Sequence, residues 1–506
     1  MSKLSDTFRR RAKNQNAKNP PEALTTPLHT AIDARDLAAL HDLLPETENA
    51  YAPDGLGRSA LVYAAEKKDM AAAEMILSFA TGGIDRTSEN GTALMIAAQN
   101  GDSDMAALLL RFGADIDAAD KDGTTPLMAA QFQQRHGMMA FLLAGGADAA
   151  ARRINDENAL HLAGMQNDPV AMEMLLAHGA AADIDRQKKV GKDTPLMKAV
   201  KARSHEAVQK LLAAGADPQI ADSQAMTALH EAARLNDTRM IHILVAEGHA
   251  DINKVSNPCR YTPLHTAVFE KNADAADMLI RLGADAHQTD DQGRTPLVIA
   301  GWNGCTAAAK YLLEEVEPEP DENIAAARRG AALYDAVFYE HRETAHYLLD
   351  SGKVDVNFCV RGADFVLNAA VRNRDFDLVD KILAAGANPN ALTPKGGHAL
   401  MTAIGAGNAE MAVRLLQNGA DPNLPSDGDR PLMKAIEADK PALVALLLAH
   451  GANPLLQDQY NRNALDLARI RSRTNLVPVL QTAINDYEKE CSAAKKVNSF
   501  QRPRAG

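Results

Sequence analysis

Aromatic side chains are scarce: Phe, Tyr and Trp make up 4% of the 506 residues, with one Trp among them. Their scarcity beside abundant Ala points away from a large β architecture and towards short, closely packed helices. Cysteine is rare as well. Cys259, Cys305, Cys359 and Cys491 stand far apart, which excludes a disulfide framework and fits a reducing compartment. Long apolar runs are missing, none approaching the ~20 residues of a membrane-spanning helix. The start of the chain also lacks the apolar stretch of a secretory signal, so the expectation is a cytoplasmic protein. Positive charge is in deficit, and a net charge of −12 disfavours nucleic acid, whose binding leans on a basic surface. Residues 1–21 run against this balance, with Lys3, Arg9, Arg10, Arg11, Lys13 and Lys18 facing Asp6 alone; they read as a basic, disordered arm.

What the sequence does have is a period. A short signature ending in Leu recurs as Thr26-Pro27-Leu28-His29, Ser59-Ala60-Leu61, Thr92-Ala93-Leu94, Thr125-Pro126-Leu127 and Asn158-Ala159-Leu160-His161. It continues through Thr194-Pro195-Leu196, Thr227-Ala228-Leu229-His230, Thr262-Pro263-Leu264-His265 and Thr295-Pro296-Leu297, with weaker copies at Leu333, Leu367, Leu400, Leu432 and Leu465. Eight of the thirteen spacings between these Leu anchors equal 33, and the others lie between 32 and 36. A fixed period of this length is the mark of a stacked repeat architecture.

Each part of the repeat has a physical task. The leading Thr can cap a helix through its hydroxyl, and Pro beside it suits the first turn, where a missing N–H costs nothing. Leu then faces the core, and a small pair such as Ala97-Ala98 or Ala232-Ala233 admits a second helix. A second apolar stripe follows, as in Leu108-Leu109-Leu110. A Gly ends that helix where left-handed backbone is cheap: Gly113, Gly146, Gly179, Gly215, Gly248, Gly283, Gly352, Gly386, Gly419 and Gly451.

The run Gly113-Ala114-Asp115-Ile116-Asp117-Ala118 through Asp122-Gly123-Thr124-Thr125-Pro126-Leu127 resembles the ankyrin repeat almost letter for letter. The resemblance implies an all-α ankyrin-repeat solenoid of helix-turn-helix units with β-turn fingers. About fourteen repeats span residues 22–485, followed by a charged tail at 486–506. The motif speaks to fold and is nearly silent about partner.

The pattern is irregular in three places. The second repeat ends Ala80-Thr81-Gly82-Gly83. A basic insertion, Arg186-Gln187-Lys188-Lys189, lies in a 36-residue step. After Leu313 an acidic run with two prolines, Glu314 to Glu322, replaces the terminal Gly. Prolines there cannot continue a helix, so residues 314–328 are expected to be a linker or irregular junction between repeats 1–9 (22–313) and repeats 10–14 with a C-terminal cap (329–485).

Catalytic and metal constellations are lacking. His29, His161, His230 and His265 share one repeat position, and the family resemblance implies that they bond backbone near the finger. His341 and His346 are five apart, the wrong spacing for a helical zinc pair. No cofactor and no small-molecule substrate is expected, and with about nine-tenths of the chain in repeats no enzyme domain fits the remainder.

The resemblance places partner-binding positions at the finger tips and five to six residues after each anchor, lining the concave side. Phe269, Trp302, Phe338 and Tyr339 fall there in three consecutive repeats, with Tyr261 and Arg294 on nearby fingers and Arg234 and Arg372 at flanking positions. Trp, Tyr and Arg dominate binding energy at interface centres, so these eight residues are the expected contact for a protein or peptide partner. The leading expectation is a non-catalytic interaction scaffold. The alternative is a bacterial effector that binds a host protein after secretion, on the strength of Ala-rich composition and Gly-Ala-Asp-Pro linkers.

Overall fold

The computed structural model describes residues 26–46, 53–79, 82–316, 320–360 and 364–500. The basic arm at 1–21 lies outside them, as do Ala80 and Thr81 and residues 317–319 of the acidic run. Paired short helices make up most of the described chain, which ends in a 24-residue helix, Val477–Phe500, running into the expected charged tail; a single two-stranded ribbon lies at Cys359–Val360 and Asp364–Phe365. No described helix is long and apolar enough to cross a membrane. The fold divides into two compact blocks, residues 1–258 and 259–506.

The fourth repeat shows how the sequence builds one pair. Thr125 caps the helix Pro126–Phe132 by accepting the Met128 N–H, and Pro126 occupies the first turn. The chain then reverses through left-handed Gln134 into the helix His136–Ala144. That reversal recurs without exception. The residue seven places after every one of the fourteen anchors has positive φ, from Arg35 (54°) through Lys271 (61°) and Arg374 (59°) to Ser472 (57°). Eleven of the fourteen are not glycine, although left-handed backbone costs an ordinary residue about 1 kcal/mol or more. The next residue commonly starts the second helix: Asp69, Asp102, Asp168, Asp237 and Asp375 each accept an N–H of the turn they open.

Thirteen of the fourteen anchors are buried; Leu297, in the ninth repeat, is only half-buried. It lines a cavity of about 260 Å³ with Leu312, Leu313, Val316 and Ala325, beside the place where the terminal Gly is replaced by the acidic run. The helices on either side of that run, Pro296–Asn303 and Glu322–Phe338, pack on one another, and Leu313 joins the apolar core that extends from Ala332 to Ile484. Asp321 accepts the N–H groups of Asn323 and Ile324 and starts a 17-residue helix, Glu322–Phe338. Residues 322–328, expected in the linker or irregular junction, are helical; the division into two compact blocks falls in the finger at 258/259.

Nine of the ten expected terminal glycines are left-handed, with φ between 64° and 96°. Gly248 is the exception. The second helix of the seventh repeat carries one extra residue, absorbed as a π turn at Ile243–Glu247, the usual way a helix takes in an insertion. Gly248 thereby keeps right-handed backbone at φ −89°, and His249 takes the left-handed position at φ 53°.

Neighbouring repeats are also tied by a side-chain ladder beyond the terminal glycines. In the second block its rungs are asparagines: Asn390 Oδ1 accepts the Asp421 N–H at 2.7 Å while its Nδ2 donates to the Gly419 carbonyl at 2.8 Å. Asn357 and Asn423 repeat this two-bond rung. In the first block Asp85, Asp117 and Asp185 accept the matching N–H but have no donor to offer. Burial, with a neighbouring carboxylate, pushes all three pKa values up. Asp117→Asn should therefore supply the missing bond to the Gly146 carbonyl and remove a confined charge. We expect a gain of about 1 kcal/mol, read as a higher urea midpoint; an unchanged or lower midpoint would show that the rung cannot form there.

Candidate protein-interaction surface

Within the second block, the helix Pro263–Phe269 ends on Phe269, the helix Pro296–Asn303 carries Trp302 in its last turn, and Glu322–Phe338 ends on Phe338 with Tyr339 at its C-cap. Because each helix stops at the same left-handed residue, these last turns lie in register and their rings meet. Phe269 stacks on Trp302 with centroids 5.8 Å apart and planes 19° from parallel. Trp302 meets Tyr339 edge-on at 6.1 Å, and Tyr339 meets Phe338 edge-on at 5.1 Å. Tyr261 extends the run from the finger side, 5.6 Å from Phe269. Offset and edge-to-face geometries such as these are the favourable ones for aromatic pairs.

The run is open to solvent along one side. Phe269, Phe338 and Tyr339 are 40%, 43% and 47% exposed, and Trp302 and Tyr261 are half-buried. Arg294 lies 5.6 Å from the Trp302 ring centre, donates to Asp290 at 2.8 Å, and reaches the Tyr261 hydroxyl at 3.3 Å. At the other end Arg372 donates to Asp364 at 2.6 Å. Both guanidiniums are fixed by carboxylates, and their charge is held accordingly, with Asp290 and Asp364 raising their already high pKa values.

The repeat signature itself decides the family. A model described as ankyrin repeats (3 copies) matches residues 74–153, 141–222, 196–290, 271–358 and 367–458.

The chain belongs to the ankyrin-repeat family.

Among similar proteins, the ankyrin array is 30% identical over 239 residues to the ankyrin repeat and KH domain-containing protein mask-1 of Caenorhabditis elegans, covering 46% of this chain and 9% of that one. It is 31% identical over 207 residues to the B-cell lymphoma 3 protein homolog of Mus musculus, covering 40% of this chain and 46% of that one. The matched part thus spans less than half the length of either relative. The solved ankyrin repeat domain of Bcl-3 is 27% identical, with a TM-score of 0.38 over 41% of this chain and 92% of that one.

Of the eight residues expected to contact a partner, the ankyrin array brings Tyr261, Phe269, Arg294, Trp302, Phe338 and Tyr339 into one connected surface. Arg372 joins it through Asp364, which also accepts from Tyr334 at 3.4 Å. Arg234 belongs to the first block, where it forms a two-point ion pair with Glu231. Sequence reasoning passed over Tyr334, which stacks on Phe338 at 5.8 Å. The signal was present: the two are four residues apart on one helix, a spacing that puts side chains on one face.

The repeat histidines serve the array's own structure. Nε2 of His29, His161 and His265 lies 3.1, 3.1 and 3.2 Å from the carbonyls of Arg58, Asp193 and Arg294 on the following finger. Burial lowers the pKa of each, that of His161 to about 4. His341, one of the pair with the wrong spacing for zinc, bonds the Trp302 carbonyl at 2.9 Å and so steadies the turn that carries the indole.

Proposed function

We propose that this protein is a non-catalytic interaction scaffold that holds a protein or peptide segment on the concave side of its second block, against Phe269, Trp302, Phe338 and Tyr339. Ankyrin arrays serve generally as interaction modules, and the observation that carries the reading here is the unbroken run of partly exposed rings. A chain with so few aromatics has gathered six of them on one surface, with an arginine at each end already held in place. Fixed arginines and paired rings lose little freedom when a partner arrives, which favours tight binding. The mixed apolar and cationic character suits a segment that presents apolar side chains beside a carboxylate or backbone carbonyls.

Trp302→Ala with Phe338→Ala should weaken capture of the partner at least about tenfold, since buried aromatic anchors are each worth about 2 kcal/mol. The check is quantitative affinity purification of wild type and variant, after circular dichroism shows the variant folded. A folded variant that keeps every partner at wild-type affinity would assign these rings to packing alone.

A further inference from the structure

The basic insertion lies in the first block, apart from the aromatic surface. Residues 186–203 carry seven lysines and arginines against one acid, Asp193, in a chain whose net charge is −12. Three of the ammonium groups converge on that single carboxylate: Lys201 at 2.6 Å, Lys198 at 3.2 Å and Lys188 at 3.3 Å, all at least two-thirds buried. Burial lowers the pKa of Lys198, and Lys188 beside it acts in the same direction. Three cations on one anion leave a local excess of two charges in a place where repulsion is poorly screened.

The neighbouring finger tips add a second, independent feature. They are joined in a row by backbone bonds: Ile154 N–H to the Asp122 carbonyl at 3.0 Å, Lys189 N–H to the Asn155 carbonyl at 2.8 Å, and Ser223 N–H to the Gly191 carbonyl at 3.1 Å. The Lys189 ammonium donates to the Ile154 carbonyl at 2.8 Å. On this fixed platform Ile154 is 63% and Val190 76% exposed, and Val190 is the most exposed large apolar residue among those described. Two apolar tips on adjoining fingers, beside a lysine cluster that Asp193 and, at Lys189, Asp156 3.7 Å away compensate only in part, make a mixed surface that water satisfies badly.

We propose that the fingers of the fifth and sixth repeats, with Lys201 on the adjoining helix, form a docking surface for an acidic protein segment carrying apolar side chains among its carboxylates. A carboxylate placed beside Lys188, Lys198 and Lys201 relieves the ammonium repulsion, and an apolar side chain covers Ile154 and Val190. Lys201 sits five residues after its anchor, the same place in the repeat that Phe269 and Trp302 occupy in the second block. The two surfaces therefore use one register with opposite chemistry.

A fluorescein-labelled peptide, Glu-Glu-Ile-Glu-Glu-Leu-Glu-Glu, tests this by anisotropy against the full chain. It should bind, weaken severalfold as salt rises from about 50 to 300 mM, and weaken at least about tenfold on Lys188→Gln with Lys201→Gln. The exposed single variant Lys189→Glu, which leaves the Asp193 cluster intact, should also weaken it, by about threefold or more. Ile154→Ser with Val190→Ser should lower affinity about fivefold, as should replacing Ile and Leu of the peptide with Ser. Equal binding of a peptide with Gln in place of every Glu would overturn the proposal. So would tighter binding to phosphatidylserine vesicles, or to a single-stranded oligonucleotide, than to the acidic peptide.

Discussion

Gly301→Ala is expected to destabilise the second block by about 3 kcal/mol, although Ala is the better helix former. Gly301 lies within the helix Pro296–Asn303, one residue before Trp302, at the second position of the small pair. A methyl group there would stand 2.1 Å from the Ala332 carbonyl oxygen and 2.9 Å from its Cα. Those are backbone atoms of the next repeat's long helix, which no side-chain rotation can move aside. The two helices must separate, and the core on both sides loses contacts when they do. Gly405→Ala is the matching control, since its added methyl meets nothing within 4 Å and should be neutral or stabilising by up to about 1 kcal/mol. Urea unfolding followed by Trp302 fluorescence reads both. Equal midpoints for the two variants would mean that the helices yield without cost. Because the separation also shifts Trp302 relative to Tyr339, Gly301→Ala should disturb partner capture as well, which links packing of the stack to the shape of its working surface.

The second large effect is with pH. His161 is fully buried between Asn158 and the Asp193 carbonyl, and burial lowers its pKa to about 4 from 6.5. The unfolded chain therefore binds a proton more readily than the folded one. The stability that goes with neutral His161 is complete above about pH 6.5 and is lost as pH falls from there towards 4, below which the loss levels off. The shift corresponds to about 3 kcal/mol. His29 in the same block is shifted in the same direction by burial, so it adds to the loss. The raised carboxyls Asp85, Asp117 and Asp185 oppose it, since protonation relieves their confined charge. We expect the urea midpoint of the first block to drop clearly between pH 7 and 4.5. In His161→Gln the profile should be flatter, from a lower starting stability. A pH profile no flatter in His161→Gln than in the wild type would show that His161 is not held neutral.

Much of the fold was legible because its signals are local and recur. Thr or Asn before a helix, Leu at its second position and Gly after the pair each state a local requirement, and their recurrence at a fixed period makes the statement unmistakable. What escaped reading depends on contacts between repeats or on a single extra residue. The shift of the left-handed position from Gly248 to His249 follows from one inserted residue, and a Gly in the expected place concealed it. The helical start at Glu322 was hidden by the prolines just before it, although Asp321 is a good capping residue. The aromatic positions could be placed from the repeat register, but whether they touch depends on how closely adjoining helices approach. Gly301, whose missing side chain allows that approach, gave no sign in the sequence because Gly and Ala both satisfy the small pair. Tyr334 was reachable from its spacing to Phe338. Its acidic partner Asp364, thirty residues away, was not.

The left-handed turn shared by all fourteen repeats has a consequence for how the chain can change. Eleven of those turns are made by residues such as Arg35, Glu340 and Asp439, which tolerate that backbone at a cost of about 1 kcal/mol each. Natural sequences seldom sit at their stability optimum, and here part of that margin is spread along the molecule at the turns between paired helices. The fingers can accordingly acquire new side chains that weaken folding, because a glycine at a nearby turn can restore what was lost. In an array whose repeats touch only their neighbours, that repair stays local, so one binding face can be rebuilt while the rest of the stack is left as it was.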